Sequence, residues 1–151
     1  MSGIYLHIPF CKQACHYCDF HFSTSLAKKE DIVKAIAKEL VMRKNEVSTP
    51  IETVYFGGGT PSLLSIDELQ FLISTVYETF NVVDSPEITL EANPDDLMPL
   101  VSSGTIFEQY RSIGINRLSV GIQSFYEDDL ALMNRAHNAK EAIECLSEAS
   151  R

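Results

Sequence analysis

The sequence lacks a surplus of basic residues, a long apolar run and an export signal. Its 151 residues include 12 Lys and Arg against 21 Asp and Glu, for a formal net charge of −9. This charge argues against a nucleic-acid partner, because such affinity rests on neutralising phosphates. No apolar run approaches the roughly 18 residues of a membrane-spanning helix, so we expect no transmembrane segment. The N-terminus has no basic region or small-residue cleavage site, so we expect a cytoplasmic protein with reduced thiols.

Cysteine is also scarce, but three of the four cysteines lie close together. They are Cys11, Cys15 and Cys18, in the spacing C-x3-C-x2-C. The alternating apolar run from Ile4 to Ile8 predicts a short strand, which Pro9 ends because proline has no N–H for the ladder. The cysteines are therefore expected on a loop at the carboxyl end of a first strand, where three thiolates can converge on one soft metal centre.

Spacing alone does not identify that centre. A structural zinc site takes four ligands, so His16 or His21 would have to complete it. A 4Fe–4S cluster held by three thiolates would instead leave one iron open for a small molecule. Redox-active thiols are a third reading. The fourth cysteine, Cys145, falls in a predicted helix and is expected to be a small buried residue.

The rest of the chain alternates between predicted strands and helices. Strands are expected over 4–8, 51–56, 87–92 and 117–122, with Pro86 preceding the third. Helices are expected over 28–47, after a capping box at Ser65, over 106–113, and after caps at Ser124 and Asn138. This order predicts an α/β fold of about four βα units with parallel strands and helices on one face. Residues 95–103 resist assignment.

Unusual residues follow each predicted strand. Residues 57–60, Gly-Gly-Gly-Thr, follow the second strand and allow backbone to approach a ligand and offer N–H groups, although a tight turn needs glycine too. Glu91 lies at the end of the third strand. Its carboxylate could contact a ligand, and the alternative is a buried ion pair with Arg117 or Arg135. Gln123 follows the fourth strand, and the Arg135 guanidinium suits a carboxylate. In barrels of βα units, chemistry occurs at these strand ends.

Several segments together resemble a known family. The C-x3-C-x-aromatic-C motif, with Tyr17 as the aromatic, resembles the signature of radical S-adenosylmethionine (SAM) enzymes. Four more segments narrow the resemblance: YLHIPFC at 5–11, FGGGTPS at 56–62, LEANP at 90–94 and NRLSVGIQSF at 116–125, together with NR-x-H at 134–137. They resemble the oxygen-independent coproporphyrinogen III oxidase family and, within it, the HemW-type haem chaperones.

The resemblance implies a partial radical SAM (β/α) barrel, with residues 1–151 as the N-terminal part of the core domain and the remaining strands and C-terminal domain absent. The three cysteines would hold a 4Fe–4S cluster whose open iron is chelated by SAM, and reduction would cleave SAM to a 5′-deoxyadenosyl radical. The residues implied to contact SAM are Tyr5 and Tyr17 along the site, Gly58, Gly59 and Thr60 at the methionyl end, and Glu91, Gln123 and Arg135.

Two features favour the chaperone branch of this family. Phe20 stands where the oxidases have a fourth cysteine, and the motif begins at Tyr5 without the oxidases' N-terminal extension. Haem or a porphyrin is then the expected partner of the full-length protein, with an unidentified haem acceptor. The alternative is an oxidase that decarboxylates two propionates of coproporphyrinogen III to vinyls. A zinc-binding structural or interaction module is the second alternative.

Overall fold

A computed structural model describes residues 2–98 and 105–149. Four strands, β1 (Ser2–Ile8), β2 (Ile51–Gly58), β3 (Val82–Ala92) and β4 (Arg117–Val120), form one parallel sheet in the order β1-β2-β3-β4. The helices are α1 (Lys29–Met42), α2 (Ile66–Thr79), α3 (Pro94–Leu97), α4 (Ile106–Ser112), α5 (Glu127–Leu132) and α6 (Ala139–Ala149), with a 3₁₀ turn at Pro61–Leu63. The predicted α/β fold with four parallel strands is confirmed. No helix among these residues is long and apolar enough to span a membrane.

The two faces of the sheet differ in character. Apolar side chains of β1, β2 and β3 join those of α1 and α2 in a single buried cluster, which includes Leu6, Phe56, Leu90, Val33 and Leu72. Burying each such side chain stabilises the fold by about 1.5–3 kcal/mol. The intervening positions of the strands carry the polar and aromatic residues of the opposite face and are half-buried or exposed, apart from the buried Gly57 and Thr89. The sheet is therefore anchored on one side and free to line a site on the other.

β3 is longer than predicted. It begins at Val82 and runs through Pro86, which was expected to precede it. The register explains the difference: Val82 pairs with Ile51, then the pairing shifts and resumes between Thr53 and Glu87. Because the proline lies in this irregular stretch, its missing N–H does not interrupt a regular ladder.

The predicted helix caps are partly confirmed. Ser65 forms a complete capping box at the start of α2, and Asn138 exchanges hydrogen bonds with Glu141 at the start of α6. The predicted cap at Ser124 is wrong, because α5 begins after Tyr126 and the Ser124 hydroxyl bonds the Asp129 carboxylate at 2.7 Å.

Other boundaries shift modestly. α1 ends at Met42 and β4 at Val120, each earlier than predicted. Gly114 follows α4 with φ of +97°, as expected for a residue that ends a helix in the left-handed conformation. The short helix α3 lies mostly within the stretch that the sequence left unassigned, and residues 99–103 of that stretch lie outside the described residues.

Candidate functional site

A cavity of about 350 Å³ lies where β2, β3 and β4 end, beside the cysteine loop, residues 11–18. Its volume falls within the usual range for small-molecule sites. Ten of the eleven predicted site residues line it: Cys11, Cys15, Tyr17, Cys18, Gly58, Gly59, Thr60, Glu91, Gln123 and Arg135. The rest of the lining consists of residues that the sequence analysis did not assign to the site, among them Gln13, Phe20, Phe22, Asn93, Ser119 and Gly121.

The glycine segment holds the cysteine loop. The Gly59 amide donates to the Ile8 carbonyl (2.8 Å) and the Thr60 amide to the Phe10 carbonyl (2.6 Å). A Cβ at Gly59 would lie 2.5 Å from the Phe10 oxygen and 3.0 Å from Cys11 Sγ. The expectation that these N–H groups face a ligand is therefore wrong, since they bind carbonyls of the preceding strand and loop. Glycine is needed here because the loop approaches so closely.

The three cysteines are half-buried free thiols around the cavity. Burial raises the pKa of Cys11, and a hydrogen bond with the Thr60 hydroxyl partly offsets that rise. The Arg135 guanidinium reaches the same place: its Nη1 donates to Cys15 Sγ at 3.4 Å and to the Tyr17 hydroxyl at 3.1 Å. The charge of Arg135 is also a small influence that lowers the pKa of Cys11, against the larger rise caused by burial.

Glu91 is held by neutral donors. The Tyr55 hydroxyl donates to Oε1 at 2.6 Å, and the Gly58 amide donates to Oε2 at 3.1 Å. This hydrogen bond to Glu91 is the main reason that the pKa of Tyr55 is raised. The proposed ion pair with Arg117 or Arg135 is not formed; Arg117 pairs with Glu87 at 3.4 Å. The carboxylate therefore lines the cavity with a fixed orientation, and it forms no ion pair with the described part of the chain.

One hydrogen-bond donor of Arg135 is unused. Its Nη2 donates to Asn93 Oδ1 (2.7 Å) and to the Gly121 carbonyl (2.9 Å), whereas its buried Nε has no partner among the described residues. An unpaired buried donor at a cavity is a place for an acceptor atom of a ligand. Gln123, nearby in the lining, has φ of +61°, a strained value for this residue type that is typical of functional sites.

Tyr5 is the predicted site residue that does not line the cavity. It lies on the same face of the sheet, where its ring stacks on Tyr55 with centroids 6.0 Å apart and its hydroxyl lies 3.1 Å from His7 Nδ1. His7, on the same strand, is exposed beside it. A role for Tyr5 in lining a SAM site stays a prediction.

The zinc reading finds little support in the geometry. Across residues 2–98 and 105–149, no three His, Cys, Asp or Glu side chains converge closely enough to hold one metal ion. Nδ1 of His16, the suggested fourth ligand, lies 2.9 Å from the Leu132 carbonyl. In a 4Fe–4S cluster each thiolate binds a different iron, so thiols spaced around a cavity fit a cluster better than a single ion.

Residues 5–151 match the family model described as the Radical SAM superfamily. This chain belongs to the radical SAM superfamily. Membership implies a 4Fe–4S cluster and SAM as cofactors, in agreement with the donor set around the cavity.

Named relatives fall within one part of the superfamily. The chain is 37% identical to "Heme chaperone HemW" of Haemophilus influenzae over 93% of this chain and 37% of that protein, and 36% identical to its Escherichia coli counterpart over 98% and 39%. It is 33% identical to bovine "Radical S-adenosyl methionine domain-containing protein 1, mitochondrial" over 99% of this chain and 33% of that protein. The chain thus spans between a third and two-fifths of the length of these relatives.

A solved structure agrees with the radical SAM fold. The coproporphyrinogen III oxidase HemN of Escherichia coli, whose structure title calls it a radical SAM enzyme, superposes with a TM-score of 0.84 at 26% identity. The match covers 98% of this chain and 34% of that one. The partial radical SAM fold expected from the sequence is therefore confirmed.

Several cavity residues escaped the sequence analysis. Asn93 had a usable signal: it lies two positions after Glu91, and alternate residues of an extended strand share one face. Tyr55, which does not line the cavity but binds Glu91, had the same kind of signal, since it lies in β2 two positions before Gly57. Gln13 had none, because its partners are 121 positions away in the chain.

Proposed function

We propose that this chain holds a 4Fe–4S cluster through Cys11, Cys15 and Cys18 and binds SAM in the adjoining cavity, as the N-terminal part of the core domain, over residues 1–151, of a HemW-type haem chaperone. One observation carries the proposal: three thiols, a carboxylate and a guanidinium line a single cavity at the carboxyl ends of a parallel sheet. Sequence-distant groups of this kind have no packing reason to meet there.

The remaining residues are proposed to bind and orient SAM. Arg135 Nε, buried without a partner, suits the SAM carboxylate. The N–H groups of the segment Gly58–Thr60 already donate to acceptors within the protein. The segment would therefore bind the methionyl amine through its acceptor atoms. Glu91 would accept hydrogen bonds from the hydroxyl groups of SAM. Tyr17 and Gln123 in the cavity, together with Tyr5 on β1, would complete the site. When bound, the cluster supplies the electron for SAM cleavage, and this chemistry belongs to the cofactor.

The chaperone reading rests on position 20 and on the relatives. Phe20 lines the cavity with 72% of its surface exposed, where the oxidases of the family have a fourth cysteine. Two of the three relatives described above are named haem chaperones, whereas the oxidase is a structural match at lower identity. Haem or a porphyrin would then bind the longer protein, which would pass haem to an acceptor protein. The oxidase activity is the second candidate, favoured by the superposition on HemN.

Anaerobic reconstitution tests the cluster assignment. Iron and sulfide analysis with absorption and electron paramagnetic resonance (EPR) spectroscopy should show a cluster of four irons per chain. Cys18→Ala should abolish it, whereas Cys145→Ala is a matched control, since Cys145 is fully buried in α6. One tightly held zinc and no iron–sulfur absorption would refute the proposal, and a cluster that survives Cys18→Ala would refute the ligand assignment.

SAM titration tests the cavity. SAM should change the EPR spectrum of the reduced cluster. Arg135→Lys should weaken SAM binding without loss of iron, because lysine keeps the positive charge but lacks the Nε donor. A fully loaded protein whose spectrum ignores SAM would contradict the assignment. Separately, haem titration and an assay for vinyl products from coproporphyrinogen III, on the longer protein, would distinguish a chaperone from an oxidase.

A further inference from the structure

The cysteine loop is held by a segment in which the sequence analysis gave a role to Arg135 alone. This clasp segment, residues 132–135, begins at the last residue of α5 and lies 116–121 positions beyond its partners in the loop. Two of its backbone carbonyls engage one residue of the loop. The His16 amide donates to the Met133 carbonyl at 3.0 Å, and His16 Nδ1 lies 2.9 Å from the Leu132 carbonyl.

Two amide side chains add reciprocal bonds to these backbone contacts. Gln13 Nε2 donates to both Asn134 Oδ1 (2.7 Å) and the Asn134 carbonyl (3.0 Å). Asn134 Nδ2 in turn donates to the Ala14 carbonyl at 2.8 Å. Gln13 and Ala14 lie between the first two cysteines of the loop, so these bonds act on the span that sets how far apart Cys11 and Cys15 stand.

The backbone at Asn134 explains why this residue type suits the position. Its φ of +56° is left-handed, a conformation that asparagine adopts more readily than most residues. The turn directs the Asn134 side chain to the loop and places the next residue, Arg135, within 3.4 Å of Cys15 Sγ. One turn therefore supplies both a clasp for the loop backbone and a cation for a thiol.

The opposite side of the loop is held independently. Lys12 pairs with Asp95 at 2.8 Å and with Asp96, and the Gly59 and Thr60 amides hold the backbone that precedes Cys11. Lys12 and Gln13 are neighbours in sequence but bind different parts of the fold. The loop is thus fixed on two sides. On the side of the clasp segment, the reciprocal amide bonds of Gln13 and Asn134 act together with the side-chain bonds of His16 and Arg135.

We propose that Asn134, with Gln13, is a positioning residue for the cluster: the pair sets the spacing of Cys11 and Cys15 before the cluster binds. This inference rests on the cluster-binding function proposed above and adds a residue that touches neither iron nor SAM. The ordered loop then exists in the chain without cofactor, which makes the proposal testable without any activity assay.

The test uses Asn134→Gly, which removes the side-chain amide but tolerates the left-handed backbone, and Gln13→Met, which removes the donor with little change in volume. In the chain without cluster, hydrogen exchange of the His16 amide should accelerate by about thirtyfold, the loss expected for two ordinary hydrogen bonds. After reconstitution, the iron retained through gel filtration should fall several-fold. Asn134→Asp, which keeps the acceptor for Gln13, should recover part of that retention.

Asn116→Gly is the matched control. Its side chain also makes one donated bond, to the Pro86 carbonyl (2.8 Å), and one accepted bond, from the Ile88 amide (2.9 Å), at the amino end of β4, opposite the carboxyl end that faces the cavity. It should lower the melting temperature while His16 exchange and iron retention stay at wild-type values.

The outcomes separate the two proposals. Wild-type His16 exchange and full iron retention in both Asn134→Gly and Gln13→Met would overturn the positioning role, as would an equal iron loss in Asn116→Gly. If the wild-type chain takes up no cluster, the proposed function fails, and His16 exchange in the three variants still decides whether the clasp orders the loop.

Discussion

Gly59→Ala should impair folding and cluster binding together, because the added methyl group would press on the cysteine loop. A Cβ here would lie 2.5 Å from the Phe10 carbonyl oxygen and 3.0 Å from both the Ile8 carbonyl oxygen and Cys11 Sγ. Two of these three atoms belong to backbone and cannot rotate away. The chain must therefore move the loop off β2 or displace its own backbone.

The magnitude follows from the bonds at risk. The Ile8 and Phe10 carbonyls accept the Gly59 and Thr60 amides, at 2.8 and 2.6 Å, so the clash falls on both acceptors. Overpacking costs typically about 1–3 kcal/mol, and each weakened hydrogen bond adds about 1 kcal/mol. We expect Gly59→Ala to lower the free energy of unfolding by about 3 kcal/mol, the sum of a middling overpacking cost and one lost bond.

Urea denaturation of the chain without cofactor measures this loss, and iron analysis after reconstitution measures the effect on the cluster. Gly114→Ala is the control: a Cβ there would meet only Ile88 Cδ1 at 3.6 Å, so its cost comes from the φ of +97° alone. That cost should be about 1–2 kcal/mol, with iron uptake unchanged. The reasoning is refuted if Gly59→Ala unfolds within about 0.5 kcal/mol of wild type, the range of a neutral surface substitution.

Three further predictions use other contacts. Tyr55→Phe removes the 2.6 Å bond to Glu91 and should weaken SAM binding about fivefold, measured by titration, with iron content unchanged. Asp96→Ala removes a carboxylate only 5% exposed that pairs with Lys12, and should lower the free energy of unfolding by about 2 kcal/mol in urea. Burial raises the pKa of Tyr110 above the usual value of about 10. The folded chain therefore keeps a proton that the unfolded chain releases, so this contribution to stability is intact below pH 10 and lost as the pH rises further. Melting temperatures measured from pH 8 to 11 should fall more steeply for wild type than for Tyr110→Phe.

Local patterns predicted most of the fold because the forces behind them are local. The alternation of Ile4 to Ile8 marked a strand with one buried face, and the Ser65 capping box marked the start of α2. Parallel strands bring their carboxyl ends to one edge, so the order of elements predicted that Glu91 and Gln123 would share a cavity with the cysteines. The inference of a shared cavity did not depend on knowing which side chains touch.

The misses involve contacts that no local pattern encodes. Pro86 reads as a strand boundary until the register shift beside Ile51 shows that it sits in an irregular stretch. Ser124 has the spacing of a capping residue, but its hydroxyl prefers the nearby Asp129 carboxylate. The sequence left the glycine segment open between a ligand site and a tight turn, because the acceptor of the Gly59 amide, the Ile8 carbonyl, lies 51 positions earlier, in another strand.

The cysteine loop brings these two kinds of information together. The spacing of its thiols reveals the donor set, yet residues 11–18 form neither helix nor strand. Ordering such a loop costs about 1–2 kcal/mol of backbone entropy per residue, and hydrogen bonds within the loop do not offset this cost. The compensation comes from Gly59 on one side and Asn134 on the other, two residues separated from the loop by long stretches of chain. A cysteine motif placed on a different fold would keep its chemistry and lose its geometry. For that reason, substitutions at Gly59 and Asn134, which present no ligand atom, should affect the cluster more than many substitutions within the motif itself.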